Sequence, residues 1–169
     1  TMLKESPNIG TGTVTMRGDP RVLPVGKFLR RTKINELPQL LNIFFGDMSL
    51  VGPRPLTTQT FGSYSASCQD VIKEVRPGLS GIGSIIFRGE EDIMHGVTAS
   101  IEFYDSIIAP YKGALEEWFV SNKGLYIYFM VIFITVWVML FPKTRAAWAV
   151  FRDLPEPPKE LKLVLNYKE

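Results

Sequence analysis

The sequence contains very few side chains of the kinds that form thiol-based or histidine-based sites. Among its 169 residues, cysteine and histidine occur once each, as Cys68 and His95. A single thiol excludes an internal disulfide and a cysteine-ligated zinc site, and it fits a reducing compartment. Neither sign of charge is in excess, since 19 basic and 17 acidic residues leave a net charge of +2. No overall positive field therefore indicates a nucleic-acid partner.

The basic residues are concentrated at one place in the chain. Four of them fall within seven positions: Lys27, Arg30, Arg31 and Lys33. Such a cluster alone is equally typical of a solvated surface. Its position is more informative, because Glu36 and the start of a predicted helix follow at once. A helix N-terminus presents unpaired N–H groups and a partial positive charge, so the cluster and the helix together favour bound phosphate.

An amphipathic helix is predicted to begin at Asn35 and to end before Gly46. Its apolar positions recur at intervals of three and four residues: Leu37, Leu40, Leu41 and Phe44. Asn35 is a favourable N-cap, Pro38 falls in the first turn, and Gly46 suits the position after the last turn. Because Asn and Asp cap helices about equally well, an Asn35→Asp exchange is expected to leave stability nearly unchanged.

The next segments alternate between loops and short elements. Gly52, Pro53 and Pro55 exclude a helix over residues 48–56. They also restrict the backbone of Arg54, from which a planar guanidinium can bind a phosphate oxygen. The remaining patterns predict a short helix over 64–75, a turn over 76–81, a strand or extended core segment over 82–87, and a helix over 97–120 with a break or kink at Pro110.

The apolar run over residues 125–141 carries no charge and has aromatic side chains at both ends. At about 1.5 Å per residue, its length is close to the lower limit for crossing a bilayer. Four interpretations stay open here: a spanning helix, a re-entrant segment, an interfacial helix or a buried core helix. Residues 145–152 are predicted to form a short basic and aromatic helix suited to a headgroup layer. The tail that follows is expected to be weakly ordered.

Two blocks of this sequence closely resemble the signature of a known family. They are Glu36-Leu-Pro-Gln39 with Gly46-Asp-Met-Ser-Leu-Val-Gly-Pro-Arg54-Pro, and Glu74-Val-Arg-Pro-Gly-Leu-Ser-Gly81. The family is the bacterial sugar transferases, the monotopic phosphoglycosyl transferases. The resemblance implies a small, mostly helical α/β domain with irregular loops that is associated with a membrane. It also implies transfer of a sugar 1-phosphate from a UDP-sugar to undecaprenyl phosphate, which initiates surface glycan assembly at the cytoplasmic face of the bacterial inner membrane.

One position departs from the family pattern. In the family, the Asp of an Asp-Glu pair attacks the phosphate nearest the sugar, and the Glu and a Mg²⁺ ion assist. Here the pair is Asn35-Glu36, and an amide oxygen is a poor nucleophile that forms no acyl phosphate. Three accounts stay open. Glu36 is itself the nucleophile or base, or the chain is a degenerate homologue that binds nucleotide sugar or partners an active transferase, or it is a variant of an active enzyme.

The resemblance also implies roles for individual residues and partners. Asn35 and Glu36 occupy the catalytic positions, Glu36 also serves Mg²⁺, and phosphate contacts come from four arginines: Arg31, Arg54, Arg76 and Arg88. The expected partners are a UDP-sugar, undecaprenyl phosphate and membrane lipid, with a second copy of the chain as a further candidate. The expected organisation is an N-terminally truncated catalytic domain over residues 1–120, a membrane-associated segment over 121–152 and a tail over 153–169.

Overall fold

The computed structural model describes residues 22–32, 34–88, 101–142 and 144–167, so His95 lies outside it. The described part is mostly helical, with a small two-stranded parallel sheet and irregular connections, which confirms the predicted fold class. In chain order the elements are α1 (Pro24–Thr32), a 3₁₀ turn (Ile34–Glu36), α2 (Leu37–Phe45), β1 (Ser49–Val51), α3 (Thr58–Gly62), α4 (Ala66–Lys73), β2 (Gly78–Ser80), α5 (Ile82–Ile86), α6 (Ile101–Phe103, a π-helical turn Tyr104–Ile108, and Ala109–Ser121), α7 (Leu125–Leu140), α8 (Ala146–Val150) and α9 (Lys159–Lys162).

Helix α2 ends as the sequence predicts but begins later. Gly46 closes it in the left-handed conformation, with a φ of 87°, and Pro38 lies in the first turn. The prediction that Asn35 caps this helix was wrong. Asn35 lies inside the 3₁₀ turn, and Glu36 occupies the N-cap position without a side-chain capping bond. The Asn35 side-chain amide instead donates a hydrogen bond to the Glu36 carboxylate.

Strands β1 and β2 pair in parallel, with Ser49 opposite Gly78. Their backbones approach very closely, since a Cβ on Gly78 would lie 2.1 Å from the Gly52 nitrogen. No other residue type fits at such a distance. Residues 76–81 were predicted as a turn, but Gly78–Ser80 form a strand, because the close approach of Gly52 and Gly78 lets the two backbones exchange hydrogen bonds.

Helix α5 corrects a second prediction. Residues 82–87 were expected to form a strand, but Ile82–Ile86 form a short helix just after β2. Ile82, Ile85 and Ile86 fall on one helical face and are buried against α6 and α7. The isoleucines favour a strand by intrinsic preference, and burial of this face against two helices outweighs that preference.

Helix α6 runs through the centre of the core. Ile108 and Leu115 on this helix are completely buried. The chain does not break at Pro110, because a π-helical turn over Tyr104–Ile108 directly precedes it. Proline lacks an N–H and crowds the preceding turn, and the wider π turn accommodates both effects within a continuous helix.

Helix α7 buries one face and exposes the other. Val131, Ile134 and Val138 are buried in the same core as α6. The outward face is apolar as well, with eight exposed side chains: Leu125, Tyr126, Phe129, Phe133, Val136, Trp137, Met139 and Leu140. Within the described ranges, no helix has both the length and the hydropathy that crossing a bilayer requires.

The C-terminal residues fold back onto the core, so the prediction of a weakly ordered tail was wrong. Leu161 is completely buried, and Leu165 is nearly so. The Trp148 indole N–H donates to the carbonyl oxygen of Leu165 at 3.1 Å, and the Tyr111 hydroxyl donates to that of Pro155 at 2.8 Å. Burial of these apolar side chains and the two hydrogen bonds hold the segment in place. Its proline-rich composition alone does not indicate this order.

Glu116 of α6 is the buried acid of this core, with only 4% of its surface exposed. Its Oε1 atom lies 2.5 Å from where a Cβ on Gly83 would be. Its Oε2 atom has no hydrogen-bond partner in the part of the chain that the structure describes. Burial raises the pKa of Glu116 to about 8, although Lys112, one turn earlier, lowers it in part. The carboxyl is therefore largely protonated at neutral pH.

We expect the stability of the protein to fall as the pH rises from about 4.5 to about 8, and Glu116→Gln to remove this dependence. In that window the folded state holds the Glu116 proton more tightly than the unfolded state, whose pKa is near the ordinary 4.5. Raising the pH therefore favours unfolding, by up to roughly 1.4 kcal/mol per pH unit. Urea unfolding across this pH range measures the effect, with the exposed Glu102→Gln as the matched control. Equal pH slopes for wild type and Glu116→Gln would contradict the assignment.

Candidate functional site

The candidate site lies at the start of α2, where neighbouring side chains hold the Glu36 carboxylate. The Asn35 Nδ2 atom donates to Glu36 Oε1 at 2.9 Å, and the Gln39 Nε2 atom donates to Glu36 Oε2. Gln39 reaches the carboxylate because residues three apart face the same side of a helix. Both oxygens are thus oriented, while the side chain stays 23% exposed. Gln39 was not predicted from the sequence to have a role, although its three-residue spacing from Glu36 was a signal for one.

The orientation of the Asn35 amide follows from Glu36. A flipped amide would place its oxygen against the carboxylate, so the NH₂ group must face Glu36. The Asn35 Oδ1 atom is then buried and has no hydrogen-bond partner among the described residues. Leaving a buried acceptor unsatisfied costs about 1–3 kcal/mol. A cation or a donor group of a bound molecule would relieve that cost.

Arg54 approaches Glu36 from a loop that the sheet holds in place. The Pro53 carbonyl, just before Arg54, accepts a hydrogen bond from the Gly78 N–H at 2.8 Å. The Arg54 Nη2 atom lies 3.8 Å from Glu36 Oε1, which is an ion-pair distance but too long for a hydrogen bond. The Arg54 side chain is 55% exposed. Its planar group of N–H donors can therefore bind an anion beside Glu36.

Arg76 was assigned to the same phosphate site, but the structure places it at the other end of α2. Its Nη1 atom lies 3.7 Å from where a Cβ on Gly46 would be. Ten residues separate Gly46 from Glu36, which is about 15 Å along a helix axis. At this position the guanidinium complements the partial negative charge of the helix C-terminus. The structure does not bring Arg76 to Glu36.

Of the two remaining arginines, the structure places Arg88 away from Glu36, and the Arg31 side chain lies outside the described part. Arg88 is exposed and lines a cleft beside Trp148 and Asn166. The backbone of Arg31 lies in α1, next to the 3₁₀ turn, and the structure does not describe its side chain. Phosphate binding by these two arginines stays a prediction.

Large apolar side chains are exposed around the candidate site as well as on α7. Those on α1, α2 and β1 are Val25, Phe28, Leu37, Leu40, Leu41, Phe44, Phe45 and Leu50. The predicted apolar stripe of α2 exists, but it faces away from the core, with Phe44 83% exposed. Helix α1 itself was not predicted. Exposed apolar side chains in such numbers mark a surface that contacts a membrane or another protein.

The oxygen atoms at the site suit Mg²⁺ if a substrate completes its coordination. Glu36 offers a carboxylate with four acceptor positions, of which Asn35 and Gln39 occupy two. The unpartnered Oδ1 of Asn35 adds an adjacent oxygen ligand. The residues that the structure describes contain no group of three or more acidic, cysteine or histidine side chains that could hold a metal ion. Mg²⁺ sites often use one or two protein oxygens together with substrate phosphates, so the residues present fit such an ion.

Comparison with known proteins identifies the family of this chain. The sequence profile described as bacterial sugar transferase matches residues 1–142. The undecaprenyl-phosphate galactose phosphotransferase of Salmonella typhimurium is 34% identical over 127 residues, which cover 74% of this chain and 23% of the relative. The UDP-glucose:undecaprenyl-phosphate glucose-1-phosphate transferase of Caulobacter vibrioides is 42% identical over 104 residues, covering 60% of this chain and 37% of the relative.

A third relative is the exopolysaccharide production protein ExoY of Rhizobium meliloti. It is 32% identical over 124 residues, which cover 73% of this chain and 47% of the relative. The chain therefore spans less than half the length of these three relatives. Since the family profile covers most of the chain, this protein belongs to the bacterial sugar transferase family.

Proposed function

We propose that this domain transfers a sugar 1-phosphate from a UDP-sugar to undecaprenyl phosphate in surface glycan assembly. The observation that carries the proposal is the pairing of Glu36 with Arg54 at the start of α2. An oriented carboxylate beside a partly exposed guanidinium suits attack on a phosphate group. The names of the relatives support the substrates, since they include a UDP-glucose:undecaprenyl-phosphate glucose-1-phosphate transferase.

Glu36 is the reacting group in this proposal. One of its oxygens attacks the phosphorus that carries the sugar, the P–O bond to the nucleotide breaks, and UMP leaves with the electron pair. An oxygen of undecaprenyl phosphate then attacks the same phosphorus, and the Glu36 carboxylate leaves. Asn35 and Gln39 orient the carboxylate, and Arg54 binds the oxygens of the transferring phosphate. Mg²⁺, held by Glu36 and Asn35, would neutralise diphosphate charge.

We place the site at a membrane surface, since the acceptor is a lipid. The outward face of α7 is apolar, and no residue of the run over 125–141 is charged. A helix that faces water on one side normally carries polar side chains there. Lipid would cover this face, and the cytoplasmic side of the inner membrane is the location that the family implies.

A second function is favoured by Asn35 itself. Its amide occupies the position where the family has the attacking Asp. It donates a hydrogen bond to the Glu36 carboxylate and adds no charge. A chain of this kind can bind a nucleotide sugar, or partner an active transferase, without forming an acyl phosphate. This candidate retains the roles of Glu36 and Arg54 in binding.

Because Asn35 donates to Glu36 and does not cap α2, the expectation that Asn35→Asp leaves stability nearly unchanged does not hold, and we expect this substitution to destabilise the protein by about 2 kcal/mol when divalent cations are absent. The change replaces an N–H donor 2.9 Å from Glu36 Oε1 with a second carboxylate. It therefore removes a charge-assisted hydrogen bond worth about 1.5–3 kcal/mol and brings like charges together. Mg²⁺ should restore most of the loss, and it should change the wild type less. Thermal unfolding with EDTA or Mg²⁺ measures this, with the exposed Asn42→Asp on α2 as control.

The same variant separates the two functions. Under the transferase proposal, the wild type releases UMP when supplied with a UDP-sugar and undecaprenyl phosphate, and Asn35→Asp, which loses the donor that orients Glu36, gains no turnover. Under the second candidate, the wild type binds the UDP-sugar by calorimetry but releases no UMP, and Asn35→Asp gains turnover. If both the wild type and Asn35→Asp fail to bind the UDP-sugar and fail to release UMP, that result overturns both functions.

A further inference from the structure

One hydroxyl pair links the apolar helix α7 to the small sheet beside the site. Ser80 Oγ and Thr135 Oγ1 lie 2.7 Å apart, and Thr135 Oγ1 also donates to the Val131 carbonyl at 2.7 Å. A hydroxyl group has a single proton. Since Thr135 uses its proton on Val131, Ser80 must donate to Thr135. The Thr135 oxygen on α7 thus accepts the hydrogen bond from Ser80 of β2.

The connection continues from Ser80 through the backbone to Arg54. The Ser80 carbonyl accepts from the Gly52 N–H at 2.9 Å, and the Gly78 N–H donates to the Pro53 carbonyl at 2.8 Å. Strand β2 therefore holds both residues that precede Arg54. Apolar packing between a helix and a sheet has no preferred direction, whereas hydrogen bonds fix distance and angle. A displacement of β2 along α7 would carry the Arg54 loop with it.

A second polar contact joins the same elements. The Tyr128 hydroxyl of α7 lies 3.5 Å from Ser49 Oγ at the start of β1. This separation is at the limit for a hydrogen bond, so we assign it little weight compared with the 2.7 Å pair of Ser80 and Thr135. The main register contact between α7 and the sheet is therefore the Thr135 hydroxyl.

We propose that Thr135 is a positioning residue: through Ser80 and the Gly52–Pro53 backbone, it sets the place of the Arg54 guanidinium relative to Glu36. The effect of Thr135 on the reaction rate rests on the proposed function. Its effect on the position of the Arg54 loop does not depend on any substrate. Helix α7 is also the element whose outward face we assign to lipid. Helix α7 would therefore both contact the membrane and position Arg54 for phosphate binding.

The first test measures the loop directly, by amide hydrogen exchange on the full chain. Thr135→Val removes the hydroxyl and keeps the shape, so exchange at Gly52 and Gly78 should become about fivefold faster or more. Thr135→Ser keeps the hydroxyl and should restore the wild-type rates. Ser106→Ala is the matched control, because it removes a helix hydroxyl that donates to the Glu102 carbonyl at 2.6 Å and not to the sheet. Unchanged exchange in Thr135→Val overturns the proposal.

The second test asks whether Thr135 acts through Arg54. Thr135→Val should lower kcat/KM for the UDP-sugar, and the affinity for UDP, by about fivefold, and Thr135→Ser should restore both. In an Arg54→Ala background the same substitution should have no further effect. A purely structural role would give equal losses in both backgrounds, and that result overturns the proposal. If the wild type neither binds UDP nor turns over a UDP-sugar, the proposed function fails, and the exchange rates alone decide the role of Thr135.

Discussion

Replacing Glu36 by Gln is expected to lower turnover of the UDP-sugar by about a thousandfold or more. The substitution keeps the size of the side chain but removes the anionic oxygen that attacks phosphorus. The substitution also weakens the ion pair with Arg54 at 3.8 Å, worth at most about 1 kcal/mol, and the charge-assisted hydrogen bonds from Asn35 and Gln39, so thermal unfolding of the variant is measured beside its activity. UMP release measures the rate, and intact-mass spectrometry detects a phospho-sugar adduct on the wild type.

The matched control for Glu36→Gln is Glu160→Gln, the same chemical change at an exposed position of α9. It should leave both UMP release and adduct formation at wild-type levels. Turnover by Glu36→Gln above about one tenth of the wild-type rate would contradict a nucleophilic role for Glu36. An adduct that maps to a different residue would lead to the same conclusion.

Placing two charges on the outward face of α7 is expected to reduce membrane binding by at least about 100-fold. Phe129 and Phe133 are 62% and 53% exposed. Replacing both with Glu removes apolar area worth roughly 25 cal/mol per Å² and adds charges that cost several kcal/mol at a lipid-facing position. Because neither side chain belongs to the buried core, the fold should be retained. Flotation with anionic lipid vesicles measures the partition.

The control for this prediction adds the same two charges on polar surfaces, as Thr58→Glu on α3 and Ser106→Glu on α6. Both positions are exposed, and neither lies on α7. This variant should bind vesicles as the wild type does. Equal flotation of the α7 variant and the wild type would show that another surface supplies the membrane contact. Deleting the helix is not an equivalent test, because Val131, Ile134 and Val138 belong to the core.

The elements that the sequence predicted well depend on local rules. Helix α2 ends at Gly46 because a left-handed residue is needed there, and glycine adopts that conformation without strain. The prolines around Arg54 prevent a helix, whatever the rest of the chain does. A short helix was predicted over 64–75, and α4 (Ala66–Lys73) confirms it. These features depend on backbone geometry within a few residues.

The composition of the site was likewise visible in the sequence, but its geometry was not. The motif placed Glu36 and Arg54 in one site, and the structure brings them within 3.8 Å. Spacing along the chain did not reveal that Asn35 donates to Glu36 instead of capping α2. The spacing also did not reveal that Arg76 lies at the other end of α2, beside Gly46. A side chain that has several partners within reach selects among them according to the packing around it.

The amino-acid sequence by itself determined the family motif, the helix ends at glycine and proline, and the absence of charge along α7. Only the tertiary structure decided that Ile82–Ile86 form a helix, that the C-terminal residues join the core, and that the apolar face of α2 is exposed. The physical reason is the same for the first two of these. Local preference differs by about 1 kcal/mol or less between conformations, whereas burying one large apolar side chain contributes roughly 1.5–3 kcal/mol. Contacts between distant segments therefore determine which conformation a short apolar segment adopts.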